Sequence, residues 1–359
     1  QLEQQARQAL QAAHLPFKRL ETFGAPRRLV LIVRGLDAAQ HKPAQEIRGP
    51  SKRAAYDADG KPTPALSGFL RTQGGSLQQV KLVTSDRGDY VYLVKPAAVT
   101  PTAKVLPELL ARITNSLRAP KTMRWDAGGA RFARPIRWLL ALYGATPLRC
   151  TVGRLTSGRL TWIGQPLNRR ALTITSVDGY LRALKQAGLI LDQRQRRAWI
   201  EQTVDRLAKR ASAVAAPEAV SHGLLDEITH LVERPVALTG AFDRKFLALP
   251  REVLLASMAK YQRVFALEQA GGAMTLPSFI AILDGSPKRP AEVRKVIEHI
   301  LNARLADSLL FWTEDHKRLP LDQHMAPALA GVTFHEKLGS MEDKTFRLRG
   351  VCEPVGAGW

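Results

Sequence analysis

Residues 120–144 read PKTMRWDAGGARFARPIRWLLALYG. Five cations and four aromatic rings are interleaved in these 25 positions, and Asp126 is the one acid among them. Pro120 closes the helix before it, and Gly128 with Gly129 makes a flexible turn, so residues 121–137 read as a loop. The loop leads into IRWLLALYG (136–144), whose apolar run predicts a buried strand with Trp138 in the core. Arginine guanidinium groups suit bidentate phosphate contacts. Trp125 and Phe132 have two readings, stacking on unpaired bases or packing beneath the arginines.

Outward from this stretch the pattern alternates. Towards the N-terminus, QLEQQARQALQAAHL (1–15) has a helical apolar stripe, RRLVLIVRGL (27–36) is a β-branched buried strand, and GDYVYLVK (88–95) alternates as a half-exposed one. PTPALSGFLRTQGG (62–75) predicts a short helix begun by proline and closed by glycine, and TAKVLPELLARITNSL (102–117) an amphipathic one. DADGK (57–61) is turn chemistry rather than a calcium loop, because no glutamate follows at the ligating position.

Towards the C-terminus, residues 176–211 predict two helices separated near Gly188, and alanine-rich SAVAAPEAV (212–220) reads as a connector. Three strands are expected in VERPVALTG, QRVFALE and LPSFIAIL, with helices at 249–260, 291–312 and 341–350. The fold class is therefore α+β or mixed α/β, and multidomain. The expected division is a basic sheet-plus-helix domain (1–175), a helical connector (176–220), a smaller mixed domain (221–330) and the truncated start of a further helical domain (331–359).

The charge is uneven, and this decides what it means. Of a net +21, residues 1–200 hold 33 Lys or Arg against 12 Asp or Glu, whereas residues 201–359 hold 20 against 20. A one-sided field of that density favours a polyanion, of which nucleic acid is the commonest, although solubility alone is the plainer reading. At 359 residues and 45% hydrophobic the chain is globular with room for more than one core. Cys150 and Cys352 have no metal or disulfide spacing, no signal peptide opens the chain, and no apolar run could span a bilayer, which together predict a cytoplasmic location. No phosphate loop, HExxH, GxSxG or GxGxxG occurs, and no histidine is followed by aspartate.

The succession of segments resembles the beta subunit of bacterial heterotetrameric glycyl-tRNA synthetase. The resemblance rests on TFGAPRRLVLIVRGL (22–36), RGPSKRAAYDADGKPTPALSGFLRTQG (48–74), GDYVYLVK, the quoted stretch and TSGRLT (156–161). It continues through LPREVLLASMAKYQRVFALE (249–268), LPSFIAIL (276–283), ARLADSLLFWTEDHK (303–317) and GVTFHEKLGSMEDKTFRLRG (331–350). The chain departs from the family pattern in SGRLTWIGQPLN (157–168), at 261–265 and at 298–302, and both ends read as cut ends of an N-terminal half.

That resemblance implies a chain that binds tRNA(Gly) and supports glycine attachment by a separate catalytic alpha subunit, in an assembly of two alpha and two beta chains. ATP and magnesium would be used by the alpha subunit, with no cofactor, catalytic residue or metal ligand in this chain and no membrane partner. The candidate tRNA contacts are cations of the matched segments: Arg27, Arg28, Lys52, Arg53 and Arg159. Lys121, Arg124, Arg131, Arg134 and Arg137 of the quoted stretch join them. A non-enzymatic RNA-binding protein and a structural assembly module are the alternative readings.

Overall fold

The computed structural model of the chain describes residues 1–85, 88–164, 169–217, 223–271, 274–317 and 328–356. The architecture is mixed α and β, in two compact units, Gln1–Arg196 and Arg197–Trp359. The first carries 32 Lys or Arg against 12 acids and the second 21 against 20, so nearly the whole charge excess belongs to one unit.

In the first unit, helix α1 (Leu2–Ala12) buries Ala6 and Leu10 on its apolar stripe. These pack with Leu106, Leu109 and Ile113 of a later helix, over Leu148 and Cys150. Strands β1 (Arg19–Ala25) and β2 (Arg28–Arg34) form an antiparallel hairpin in which Ala25 faces Arg28. β3 (Ala39–Lys42) follows, then β4 (Gln45–Ser51), the single turn α2 (Lys52–Ala55) and α3 (Pro64–Gln73). As expected, Pro64 begins α3, behind Thr63, whose Oγ1 accepts the Leu66 N–H at 3.4 Å. Gly74 closes it at φ 62°, a left-handed cap open to glycine.

β5 (Val80–Ser85) and β6 (Gly88–Lys95) complete an antiparallel sheet of order β4-β6-β5, with β6 where the alternation of GDYVYLVK placed it. β7 (Ala98–Pro101) pairs with β3, and α4 (Thr102–Ser116) is the expected amphipathic helix. The DADGK segment is a turn, with Asp57 accepting the N–H groups of Asp59 and Lys61.

Beyond α4 the unit is built of two-residue hairpins. β8 (Met123–Arg124) pairs with β9 (Arg131–Phe132), β10 (Leu142–Tyr143) with β11 (Thr146–Pro147), and β12 (Thr151–Val152) with β13 (Leu155–Thr156). The continuous strand expected over 136–144 is not formed. Within it only Leu142 and Tyr143 join a ladder, and Leu140 makes one bridge to Gly158. The chain reverses at Gly144, φ 60°, and the Leu148 N–H returns to the Ala141 carbonyl at 3.0 Å, while the Ala141 N–H and the Leu139 carbonyl bond Gly158 instead, so the stretch serves two short pairings rather than one strand. β14 (Leu160–Ile163) and β15 (Arg170–Thr173) then pair, and α5 (Val177–Gln186) sets Tyr180 and Leu184 against Ile163 and Ile174. The GQPLN end of the departure at 157–168 lies mostly outside the described residues.

Helix α6 (Gln193–Arg210) spans the boundary residues, separated from α5 by Gly188 at φ 75°. The second unit is a four-stranded antiparallel sheet of order β16 (Ala213–Ala215), β18 (Val264–Gln269), β19 (Thr275–Asp284) and β17 (Pro235–Ala241). One sheet face carries α6 and α7 (Leu224–Leu231), whose Ile200, Val204, Leu225 and Ile228 pack on Phe265 and Ile280. The opposite face carries α8 (Arg251–Ala256) and α9 (Pro290–Lys317), packed on Val264, Ala266 and Phe279 through Leu254, Leu301 and Leu305. Burial on both faces is why β18 opens with four consecutive apolar residues, Val264 to Leu267.

The three strands expected from the sequence are β17, β18 and β19. The fourth, β16, lies in the stretch expected to be a connector, where Ala213 is buried; residues 218–220 of that stretch lie outside the described ones. The helix expected at 249–260 is α8 continued by a π turn, Ser257–Gln262. A last helix, α10 (Met341–Gly356), follows a small hairpin of β20 (Thr333–His335) and β21 (Gly339–Ser340).

Candidate nucleic-acid interface

The loop expected over 121–137 is ordered by its single acid. Asp126 accepts the Ala130 N–H on Oδ1 at 3.2 Å, and its carbonyl accepts the Gly129 N–H at 3.3 Å, which folds 123–132 into the β8–β9 hairpin. Its other oxygen, Oδ2, accepts the Arg154 N–H at 3.0 Å from the turn between β12 and β13. Gly153 makes that approach possible: φ is 58°, and a Cβ there would overlap the Asp126 carboxylate. Asp126 is thus spent on backbone donors and forms no ion pair among the described residues.

The cations around it are left uncompensated. Arg124 and Arg131 are directly opposite each other across the hairpin. Like charges at that spacing repel, and no acid sits between them. Lys121, Arg124, Arg131, Arg134 and Arg137 are all exposed, and among the described residues none of their side chains has a hydrogen bond or ion pair. Arg154 adds an exposed side chain beside the hairpin. Sequence reasoning missed it because its position depends on a backbone bond to a residue 28 positions away.

The other candidates divide. Arg53 is exposed, and Lys52 is exposed but lies 3.8 Å from Asp89. Arg28 is only 8% exposed; its Nη2 donates to the Trp162 carbonyl at 2.9 Å, and its guanidinium lies 5.8 Å from the centre of the Trp138 ring. Arg159 donates to the carbonyls of Ala145 at 2.6 Å and Ile174 at 3.4 Å. Arg27 is half-buried. Arg28 and Arg159 therefore tie the framework together, while the hairpin arginines face solvent. Trp138 is half-buried under Arg28 rather than enclosed in the core expected for it, and Trp125 and Phe132 are half-buried too.

Among the described residues no three His, Cys, Asp or Glu side chains gather as a metal site, and no helix is long and apolar enough to cross a membrane. What the arrangement can do is hold phosphates: flexible cations on a pinned hairpin, in a unit whose field is positive overall.

Residues 1–357 match the family model described as glycyl-tRNA synthetase beta subunit. The chain is 38% identical over 344 residues to the glycine–tRNA ligase beta subunit of Moorella thermoacetica, covering 96% of this chain and 49% of the relative. It is 36% identical to that of Syntrophomonas wolfei, covering 99% and 51%, and 37% identical to that of Desulforamulus reducens, covering 98% and 50%. The chain spans about half the length of the curated relatives it matches.

Proposed function

Because the chain belongs to the glycyl-tRNA synthetase beta-subunit family, we propose that its basic first unit holds tRNA(Gly) while a separate alpha subunit attaches glycine to it. In this reading the alpha subunit binds ATP and magnesium and performs the chemistry, and two copies of each chain assemble in the cytoplasm. This chain contributes position and charge.

The observation that carries the reading is the exposed, uncompensated cation set on a hairpin pinned by its only acid. Each phosphate neutralised by such a cation releases condensed counterions, so binding is driven by the entropy of that release and does not require base contacts. Phosphate contacts fix the register of a nucleic acid without reading its sequence, which suits a subunit that positions a substrate for another.

The test is a titration of labelled tRNA(Gly) with the purified chain at several salt concentrations. Affinity should fall with a log–log slope of about 0.7 to 0.9 per phosphate contact. Binding that is indifferent to salt, or absent at low salt, would sink the proposal. Adding the alpha subunit with ATP and glycine to the intact beta subunit then asks whether glycylation depends on the same cations.

A further inference from the structure

The sheet β4-β6-β5 has two unlike faces. Its inner face is covered: Val91 and Leu93 of β6 are fully buried against Ala55, Leu66 and Leu70 of α2 and α3. The opposite face carries Tyr90 and Tyr92 on the central strand, both half-buried. Arg48 of β4 is directly opposite Tyr92 on one side and Lys81 of β5 directly opposite it on the other. Both cations are exposed, and neither makes an ion pair among the described residues. Arg48 leans diagonally, its guanidinium carbon 3.7 Å from the centre of the Tyr90 ring. No cation lies over the Tyr92 ring among the described residues. Glu46, opposite Val94, is the acid one row along.

We propose that this face is a stacking platform for unpaired RNA nucleotides, one base on the Tyr92 ring and the next on the guanidinium plane that Arg48 holds over Tyr90. Lys81 and Arg48 then flank the strand's phosphates. Aromatic rings and arginine planes on a sheet face take bases whose faces are open, and a duplex buries those faces in its own stack. Charge complementarity selects the occupant: the face belongs to the unit with 32 cations against 12 acids, and its row of three is cation, aromatic, cation. The inference rests on the reading that this unit's polyanion is RNA, and it adds that part of that RNA is unpaired where it meets β6.

The test titrates the purified chain with a fluorescein-labelled single-stranded RNA octamer lacking self-complementarity, with the same octamer annealed to its complement, and with tRNA(Gly). Thermal melting accompanies each variant. Tyr92→Ala should weaken octamer binding about 5- to 150-fold, the loss of one stacked base, and leave duplex binding unchanged. Tyr92→Phe keeps the ring and should bind as wild type. Equal octamer binding by wild type and Tyr92→Ala overturns the platform, as does equal weakening for single strand and duplex. So does a Tyr92→Phe variant that behaves like alanine. If Tyr92→Ala fails to fold, a 5-iodouridine octamer photo-cross-linked to the wild-type chain decides: adducts on Tyr92 support the platform, and adducts confined to residues outside β4–β6 overturn it. The tRNA arm separates the two readings. A chain that binds tRNA(Gly) without Tyr92-dependent octamer binding overturns the platform alone, octamer binding without tRNA binding overturns the tRNA reading alone, and a chain that binds neither overturns both.

Discussion

Arg124 and Arg131 are cross-strand partners in a two-residue ladder, placed opposite each other with no acid between them. Cross-strand like charges cost stability, by about 0.2–1 kcal/mol for a direct pair. Replacing both by alanine should therefore leave the melting temperature unchanged or raise it slightly. The same double variant should bind tRNA(Gly) at least about tenfold more weakly, since each charge-assisted bond to a phosphate contributes up to about 1.5–3 kcal/mol. Calorimetric melting and tRNA titration on one preparation check both halves. Early melting with normal binding would make the pair structural.

Asp126 acts on the same surface from within. Its carboxylate holds the Ala130 N–H and, through Oδ2, the Arg154 N–H of a different turn. Asp126→Ala leaves two backbone donors without their charged acceptor, a loss of about 1–3 kcal/mol for the half-buried site. Gly153→Ala should reproduce the effect from the other side, because its Cβ meets the carboxylate and its φ of 58° strains any L side chain. Both variants should lower tRNA affinity without removing a positive charge. Amide exchange at Ala130 and Arg154, faster in each variant than in wild type, is the direct readout.

Arg28 should behave in the opposite sense to the hairpin arginines. It is buried, bonded to the Trp162 carbonyl and packed over Trp138. Arg28→Ala is expected to destabilise the first unit by about 2–4 kcal/mol, the range of a lost buried polar contact together with its cavity. The folded fraction should bind tRNA(Gly) with wild-type affinity. Trp138→Ala should cost less than a fully enclosed ring, about 1–3 kcal/mol, since only part of its surface is covered. Normal stability of Arg28→Ala with weakened tRNA binding would place Arg28 at the interface after all.

These residues also show what a sequence reveals and what it withholds. Helices α1, α3 and α4 and strands β2, β6 and β17 to β19 were legible because each carries its own period or its own caps. The two-residue hairpins were not, because turns and distant bonds hold them rather than an apolar alternation. The basic character of 120–144 could be read directly, but the facing of Arg124 and Arg131 is a property of register. Nor could composition separate Arg28 from Arg131. Arg28's acceptor is the carbonyl of Trp162, 134 positions away, and only the fold brings it within reach. The stretch 136–144 departs from the expected strand for a related reason: its residues are apolar enough for a strand, but the turn at Gly144 and the distant Gly158 divide its pairing between two partners.

The start of α10 gives a pH-dependent prediction. Asp343 Oδ2 accepts the Ser340 N–H at 2.7 Å and its hydroxyl at 2.9 Å, while Ser340 Oγ accepts the Asp343 N–H at 3.1 Å. The backbone N–H and then the hydroxyl of Ser340 hold the Asp343 carboxyl below the usual carboxylate range. A folded-state pKa lower than the unfolded one means that the unfolded state binds the proton more readily, so protonation favours unfolding of the cap. Its contribution is fully present above the ordinary aspartate value of about 3.9 and is lost as pH falls through the lower, folded value. Amide protection at Ser340 should therefore be constant from neutral pH down to about pH 4 and collapse only under stronger acid. Asp343→Asn, which removes the titrating carboxyl, should show weaker protection at neutral pH and no such acid step. Retention of the step in Asp343→Asn would assign it to another group and overturn the account of this cap.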